Sequence, residues 1–324
     1  KDLQGYWSNL SPFPSSLLRV YGTSAGMLKM KNSAERPDDL APISIRVDDG
    51  GDGTFGAGDY FLFAGADQVV WEVKNDRFRH ELNPFADSVY YFINVEGVGQ
   101  SSRITTLTES AAANVQSSSY DFVDYHEEDL SNLIKSGRVW YGEQLGTISE
   151  LDFGFSVPQI DKNSKVQVRA EYAARSIGVS GVELRLSLPN QGGAADTSSV
   201  APVADFYGAL YADDGILDLA VQPRDGDLLT KIALNKGSNA LATAWIDFIE
   251  INARRNLSFL DPFMFFRDKE SIGAGNITSF SVQSKVPITV WDVTNPHDVR
   301  EMVLSGNVQT GFTFKRETSV LREF

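Results

Sequence analysis

Short apolar runs, most of them bounded by Gly, Asn, Asp or Pro, are the feature that most restricts the fold of this chain. Some alternate strictly, and in Leu217–Val221 and Val182–Leu186 one set of positions is apolar while the other is largely polar. Successive side chains of a strand point to opposite faces, so this pattern is typical of an antiparallel sheet with one face in solvent. No helical segments alternate with these runs, which argues against a doubly wound α/β fold. The sequence therefore predicts a mainly β protein.

Two β-rich domains are predicted, because 324 residues are too many for one ordinary hydrophobic core. They comprise residues 1–145 and residues 146–324, and the strand spacing in the second favours a β-sandwich or a jelly-roll-like domain. The predicted strands are Leu17–Tyr21, Ile43–Val47, Tyr60–Phe63, Val69–Val73, Tyr90–Val95, Ile104–Leu107, Leu151–Val157, Val166–Ala173, Val182–Leu188, Phe206–Tyr211, Ile216–Val221, Leu229–Leu234, Ala244–Asn252, Thr278–Val282 and Ile288–Val293.

One short helix is predicted at residues 127–135. Acidic residues open this segment, its apolar residues share one helical face, and Lys135 with Gly137 closes it. The segment Pro189–Ser199 is rich in Gly, Asn and Ser and is predicted to be a loop tip. Asp213-Asp214-Gly215 is predicted to be a hairpin turn, since Asp-Gly between two apolar runs is a common turn signal.

Charge and composition exclude several functions. The formal net charge is −14 and no basic stripe is present, whereas phosphate binding needs Lys or Arg, so neither nucleic acid nor an anionic membrane is an expected partner. No segment approaches the ~20 apolar residues of a membrane span. The chain has no cysteine, so these residues contain neither a cysteine nucleophile nor a thiolate metal site. It begins at Lys1 without a Met, and we expect a processed or excised piece.

The remaining candidates for catalysis or ligand binding are isolated in the sequence. His80, His126 and His297 are far apart and form no zinc-binding pair, so we expect surface or hydrogen-bonded histidines. Most of the five tryptophans are expected in the core, Trp245 and Trp291 among them because they lie inside apolar strand patterns.

An acidic loop at residues 48–59 partly resembles an EF-hand calcium loop. Asp48, Asp52 and Asp59 take positions one, five and twelve, and Gly53 takes position six. Position three is Gly50, which has no side-chain oxygen, and no amphipathic helix flanks the loop. Calcium bound by the three aspartates is therefore one hypothesis, and no other cofactor is expected.

The alternative for this loop is a tight hairpin connection. It would join Ile43–Val47 to Tyr60–Phe63, with glycines supplying positive φ angles and aspartates bonding to the backbone. The sequence favours this alternative, and calcium is then optional.

Several segments in a common order resemble the region before the peptidase domain of type IX secretion sortases, the PorU-like proteins grouped with the gingipain-type cysteine peptidases. They are Val20–Gly22, Asp39–Ile43, Asp52–Phe55, Gly58–Phe63, Trp71, Phe78–His80, Asn83–Phe85, Tyr90–Phe92, Ser136–Glu143, Ala244–Ile249, Phe266–Arg267, Val290–Pro296 and Arg322–Phe324.

The resemblance implies a non-catalytic N-terminal region, because the family's catalytic His and Cys would follow a segment like Leu321–Phe324. It implies a parent protein on the extracellular side of the outer membrane of a Bacteroidota-type bacterium. That parent would cleave sorting signals from secreted cargo and transfer the cargo to a surface anchor. The implied partners are the downstream peptidase domain, outer-membrane components of the secretion system, and cargo.

Two other functional classes remain open from the sequence. A carbohydrate-binding β-sandwich surface protein would need an exposed, coplanar row of aromatic rings, and we expect none. A complete hydrolase with paired carboxylates would need a cleft that holds two carboxyl groups roughly 5–10 Å apart.

Overall fold

The protein, represented by a computed structural model, is described here for residues 11–23, 26–29, 31–34, 39–95, 102–135, 139–178, 180–260 and 262–324. Twenty-five strands and three short 3-10 turns make up its regular structure in these ranges, which confirms the mainly β prediction. The turns are Ser15–Leu17, Pro189–Gln191 and Lys269–Ser271. The strands are β1 (Phe13–Pro14), β2 (Arg19–Gly22), β3 (Ala41–Ile43), β4 (Ile45–Asp48), β5 (Thr54–Phe55), β6 (Tyr60–Phe63), β7 (Val70–Lys74), β8 (Arg77–Glu81), β9 (Phe92–Asn94), β10 (Thr105–Leu107), β11 (Val115–Ser117), β12 (Ser119–Glu127), β13 (Gln144–Leu145), β14 (Glu150–Ser156), β15 (Val166–Arg175), β16 (Val182–Leu188), β17 (Ala194–Val200), β18 (Asp213–Val221), β19 (Asp227–Asn235), β20 (Thr243–Asn256), β21 (Ile277–Val282), β22 (Trp291–Asp292), β23 (Arg300–Met302), β24 (Ser305–Asn307) and β25 (Gly311–Glu317).

The strands form two compact units that differ from the predicted ranges 1–145 and 146–324. Unit 1 comprises residues 1–70, 81–117 and 259–324, and unit 2 comprises residues 71–80 and 118–258. Strand pairing explains the difference. In unit 1, β10 pairs with β23 and β11 with β21, so segments almost 200 residues apart in sequence share sheets. A boundary near residue 145 would separate β12 and β13 from β20, with which both pair.

Unit 2 is a β-sandwich of two antiparallel sheets. One sheet has the order β12-β20-β15-β18, with β13 also on β20, and the other has the order β14-β19-β16-β17. Alternate residues of both sheets share one buried cluster, for example Val168 and Ile251 from the first and Leu186 and Ile232 from the second. Burying one face of each amphipathic sheet against the other is the arrangement that the alternating runs favour.

Unit 1 contains smaller sheets around separate apolar groups. Its sheets have the orders β1-β5, β3-β2-β9, β4-β6, β10-β23-β22 and β11-β21-β25-β24. Leu18, Val20, Ile43, Ile45 and Phe55 form one buried group.

Four phenylalanines from distant parts of unit 1 form another group. Phe280 and Phe314 stack with their ring centroids 5.1 Å apart, and Phe266 and Phe324 stack at 5.0 Å. The backbones of Phe266 and Phe324 exchange two hydrogen bonds of 2.9 Å.

The predicted helix at residues 127–135 is wrong. Glu127 ends β12, and no residue from 127 to 135 is helical. Leu130 and Ile134, which would form the apolar face of such a helix, are each 62% exposed. An amphipathic helix gains most of its stability by burying that face, and here two of its three apolar residues are exposed while Leu133 is half-buried. Gly137 lies outside the described residues.

Three smaller predictions also fail in unit 2. Asp213-Asp214-Gly215 starts β18 instead of forming a turn, and β17 occupies half of the predicted loop tip 189–199. The predicted strand Phe206–Tyr211 lies in a loop. Gly215 has a packing role in β18, because a Cβ atom there would lie 2.3 Å from the Tyr172 ring.

The expectation that most tryptophans are core residues is wrong among the four described. Trp245 is 6% exposed, Trp140 is 42% exposed, and Trp71 and Trp291 are intermediate. Trp7 lies outside the described residues. Near Trp291 the buried face instead carries Val290 and Asp292, and the Asp292 carboxylate accepts a 2.6 Å hydrogen bond from Arg316 Nε.

No described segment forms a helix that is both long enough and apolar enough to cross a membrane.

Replacing Thr230 by valine is expected to stabilise unit 2. Thr230 is fully buried on the core side of β19, and its hydroxyl has no hydrogen-bond partner among the described residues. Valine has nearly the same shape and removes an unsatisfied polar atom, so the free energy of unfolding should rise by about 1–2 kcal/mol. Urea unfolding followed by circular dichroism measures this change.

Thr197→Val is the matched control, since Thr197 is an exposed residue of β17. We expect it to change the free energy of unfolding by less than about 0.5 kcal/mol. A loss of stability in Thr230→Val would mean that the hydroxyl is satisfied in solution.

Candidate functional site

The hairpin β7–β8 brings the residues of the candidate site into unit 2. Its turn residues, Asn75 and Asp76, have φ angles of 52° and 62°. A two-residue hairpin turn of type I′ needs positive φ at both positions, and Asn and Asp tolerate that conformation better than most residues. This tight turn places β8 directly after β7.

Side chains of the sandwich bind the backbone of β8. Phe78 N donates to Asn252 Oδ1 at 2.8 Å, and Asn252 Nδ2 donates to Phe78 O at 3.0 Å. Phe78 itself is 1% exposed, and Arg77 Nη1 lies 2.6 Å from both carboxylate oxygens of Asp218. The Asn252 side-chain amide thus makes the two hydrogen bonds to the Phe78 backbone that a neighbouring strand would otherwise make.

A buried ionic group, the His80 clamp (His80, Glu127, Glu250 and Arg79), is the centre of the site. His80 Nδ1 is 2.7 Å from Glu250 Oε1, and His80 Nε2 is 2.5 Å from Glu127 Oε2. His80 N donates to Glu250 Oε1 at 2.9 Å, and Arg79 Nη1 donates to Glu250 Oε2 at 2.6 Å. The side chains of His80 and Glu250 are only 2% and 1% exposed. Two cations and two carboxylates therefore balance one another with little exposure to solvent, since the Arg79 and Glu127 side chains are 15% and 16% exposed.

The clamp keeps its histidine charged. Burial acts to lower the pKa of His80, but hydrogen bonds to Glu127 and Glu250 and their negative charges raise it to about 9. Burial alone would raise the pKa of Glu250, whereas hydrogen bonds from His80 and Arg79 bring it below its usual value. At neutral pH both ring nitrogens of His80 therefore carry protons and both donate to carboxylates.

Aromatic rings surround the imidazolium. The Tyr125 ring stacks on His80 with centroids 4.6 Å apart, and Phe248 meets it edge-on at 4.8 Å. Trp71, from the same hairpin, lies 5.6 Å away. The stacked Tyr125 ring presents its negative face to the imidazolium, which favours the protonated form of His80.

A β-bulge places one more carboxylate beside the clamp. Glu171 pairs with Phe248 and Tyr172 with Ile246, so Asp247 is an extra residue in β20. Burial, and then the charges of Glu127 and Asp129, raise the pKa of Asp247 to about 6.

The clamp is suited to holding the hairpin and unsuited to catalysis. A general base needs a free ring nitrogen, and a bound substrate needs access to the reacting groups. Both nitrogens of His80 are occupied and Glu250 is buried, while the chain has no cysteine that a histidine could activate. The pair Glu127 and Glu250 likewise cannot act on a glycosidic bond, because His80 occupies the space between them.

A second feature of unit 2 is a cavity of about 460 Å³. It is lined by Asp124, Tyr125, His126, Glu143, Leu151, Asp152, Phe153, Gly154 and Phe155. His126 Nε2 lies 2.7 Å from Glu143 Oε1, and the His126 ring lies 4.8 Å from that of Phe153. The expectation of hydrogen-bonded histidines is thus confirmed for His80 and His126.

The acidic loop of unit 1 has the predicted hairpin connection. β4 and β6 pair antiparallel, and Asp48 lies opposite Tyr60 and accepts a 2.8 Å hydrogen bond from its hydroxyl. Asp52 Oδ1 accepts from Thr54 N at 2.7 Å, and Asp59 Oδ2 accepts from Gly56 N at 2.6 Å. Each aspartate therefore has a partner within the hairpin.

Calcium binding at this loop stays a prediction. No group of three or more acidic or histidine side chains in the described ranges is arranged to hold a metal ion. Asp48, Asp52 and Asp59 consequently do not form a ready coordination shell in this arrangement.

The sequence did not reveal the clamp because its members are far apart. His80 is 47 residues from Glu127 and 170 from Glu250. The usable local signals were the turn residues Asn75 and Asp76 and the polar residue Glu250 between the apolar Ile249 and Ile251 of β20.

Comparison with known proteins shows the fold but no family. Neither a protein-family model nor a curated protein matches the sequence. Among solved structures, dimeric latent PorU from Porphyromonas gingivalis matches with a TM-score of 0.77 and 19% identity. The match covers 95% of this chain and 29% of the PorU chain, so this chain spans less than a third of that protein. The likeness shows that the two share a fold over this region.

A second solved structure, the mosquito-larvicidal Cry4Aa toxin from Bacillus thuringiensis, matches with a TM-score of 0.25 and 12% identity. That match covers 78% of this chain and 55% of the toxin chain. A score of this size does not indicate a common fold.

Replacing His80 by glutamine is expected to destabilise unit 2 in a pH-dependent way. His80 gains protons on folding, so its contribution is complete below pH 6.5, declines as the pH rises, and is lost above about 9. The free energy of unfolding of the parent should exceed that of His80→Gln by about 3 kcal/mol at pH 6, and the difference should shrink towards pH 9. Urea unfolding of both proteins between pH 6 and pH 9.5 measures it.

His126→Gln is the matched control, because the His126 and Glu143 side chains are 30% and 27% exposed. We expect this substitution to lower the free energy of unfolding by less than about 1 kcal/mol. A difference between parent and His80→Gln that stays constant from pH 6 to pH 9.5 would show that His80 is not held as an imidazolium.

Calcium titration tests the acidic loop. With Asp48, Asp52 and Asp59 bonded within their own hairpin, isothermal titration should show weak binding or none. A site tighter than the micromolar range of calcium sensors, lost in Asp52→Asn, would instead establish coordination by this loop.

Proposed function

We propose that this chain is the non-catalytic N-terminal region of a cell-surface cysteine peptidase of the gingipain-like, type IX secretion sortase kind. In this role it supports the peptidase domain of its parent protein on the extracellular side of the outer membrane. Outer-membrane components of the secretion system and secreted cargo are the further partners in this proposal.

The observation that carries the proposal is the PorU-like fold across 95% of the chain. Two segments quoted for the family resemblance also meet in this fold. Phe266-Arg267 pairs with Glu323-Phe324, and Arg267 Nη1 donates to Glu323 Oε1 at 2.7 Å. Val293, within a third such segment, donates its backbone N–H to Glu323 O at 2.8 Å. The residues that suggested the family thus include mutual structural partners.

The chemistry of the chain supports a non-catalytic role. These residues cannot perform cysteine catalysis, since no cysteine is present. The one buried histidine with carboxylate partners uses both ring nitrogens to hold the β7–β8 hairpin. Catalysis by the parent protein would then depend on residues outside this chain.

A carbohydrate-binding surface protein is the alternative function. Exposed aromatic side chains do occur in unit 2, with Phe206 70% exposed and Tyr207 fully exposed. This alternative would need such exposed rings to lie in one coplanar row. Binding of soluble polysaccharides that is lost in Tyr207→Ser would favour this alternative.

The sequence of the gene downstream of the Phe324 codon tests the proposal. We expect it to encode a peptidase domain with a catalytic histidine followed by a cysteine. A stop codon there, or a domain with no such pair, would contradict the proposed role.

The purified chain is expected to have no peptidase activity. It should give only background with casein and with short Arg and Lys peptide substrates, because it has no thiol and the buried His80 uses both of its ring nitrogens. Turnover that disappears on replacing a residue of this chain would overturn the prediction, whereas turnover that no such replacement changes would indicate a contaminating protease.

A further inference from the structure

The two sheets of unit 2 each end in a strand that is paired on one side only. β12 pairs with β20, and β14 pairs with β19, and neither has a second partner strand in the described part of the chain. Such an edge strand presents backbone N–H and C=O groups that no neighbouring strand satisfies. The β14 edge can therefore accept an added strand.

The cavity of about 460 Å³ lies between these two edges. Its lining consists of residues 124–126 of β12, residues 151–155 of β14, and Glu143. Side chains of a strand alternate in direction, so a strand added to β14 would direct every second side chain towards this space. Edge and cavity together form one surface, the β12–β14 edge site.

The negative charge of the cavity lining determines which ligands this site can bind. Its lining carries three carboxylates, those of Asp124, Glu143 and Asp152, and contains neither Lys nor Arg. Lys231 lies 3.4 Å from Asp152, but its closer partner is Glu150 at 2.8 Å. Burial raises the pKa of Asp124, so a cation placed beside it would offset the cost of keeping that carboxylate ionised.

The walls of the cavity suit a long cationic side chain. Phe153 and Phe155 supply aromatic surface next to the carboxylates. Lys and Arg pack their methylene groups on apolar surface while the charged end reaches an anion, and a ring face attracts the cation further.

We propose that the β12–β14 edge site binds an extended polypeptide that carries a Lys or Arg side chain. The peptide adds to β14 as a further strand, and its cationic side chain enters the cavity between Asp124 and Glu143. Backbone hydrogen bonds supply affinity, and the charged cavity supplies specificity.

The same charges explain why this edge need not aggregate with copies of itself. Glu150 and Asp152 of β14 are acidic and the chain carries a net charge of −14, so two such edges repel each other. The acidic edge therefore attracts a basic strand and repels an acidic one. This inference goes beyond the proposed supporting role, because it assigns a ligand class to unit 2 itself.

The test uses the whole chain and a synthetic probe, the blocked heptapeptide acetyl-Ser-Val-Lys-Val-Arg-Val-Ser-amide. Calorimetry gives its affinity, and hydrogen–deuterium exchange locates it. We expect saturable binding, with slower exchange at residues 150–156. A peptide with Glu in place of Lys and Arg, and one with alternate backbone nitrogens methylated, should each bind at least tenfold more weakly.

Two protein variants distinguish a specific effect of the cavity carboxylates from a general effect of the protein's negative charge. Asp124→Asn removes a carboxylate of the cavity and should lower the affinity for the probe peptide about fivefold. Glu183→Gln, on β16 two strands away from β14, removes the same charge elsewhere and should change affinity less than about twofold.

Several results would overturn the proposal. Equal binding of the methylated peptide or of lysine amide would show a cation site without strand addition. Equal binding of the Glu peptide, or slower exchange only outside residues 150–156, would show that the charged edge is not the binding surface. Because no peptidase domain takes part, these outcomes leave the proposed supporting role unaffected.

Discussion

The pairing of β20 with three other strands is the interaction on which unit 2 depends. This fourteen-residue strand pairs with β12, β13 and β15, and it alone links them in one sheet. Its inner residues Ile249 and Ile251 are fully buried in the shared core. Its outer residues Glu250 and Asn252 bind the β7–β8 hairpin. One strand therefore supplies both the apolar face of a sheet and the polar groups that hold a distant segment.

The His80 clamp fixes the position of the β7–β8 hairpin more than it adds to the net stability of unit 2. Transferring a charged group from water to a protein interior costs several kcal/mol, and the attraction between partners largely offsets that cost. An apolar contact could stabilise the hairpin equally well, but it would not define one register. The hydrogen bonds of His80 and Asn252 do define one, since each group meets its partners in a single alignment.

Local patterns predicted much of the fold. Val182–Leu188 and Tyr60–Phe63 have the bounds that alternation and turn residues indicated, because these signals lie within the segments themselves. The helix at 127–135 was wrong since two of its three apolar residues are exposed, which a sequence pattern cannot reveal. Residues 119–127 were missed as a strand because their polar side chains are satisfied by Arg254 and His80, residues far away in sequence. The ranges of the two compact units likewise depend on pairings between distant strands, such as β10 with β23.

The account of this chain rests on the claim that its one buried, carboxylate-bound histidine is a structural cation. Nitrogen-15 NMR of the imidazole ring of His80 between pH 5 and pH 10 tests that claim directly. We expect both ring nitrogens to be protonated at pH 7.5 and to titrate with a pKa of about 9. A neutral ring at pH 7.5, with one unprotonated nitrogen and a pKa near the usual ~6.5, would contradict the account and reopen a catalytic role for His80.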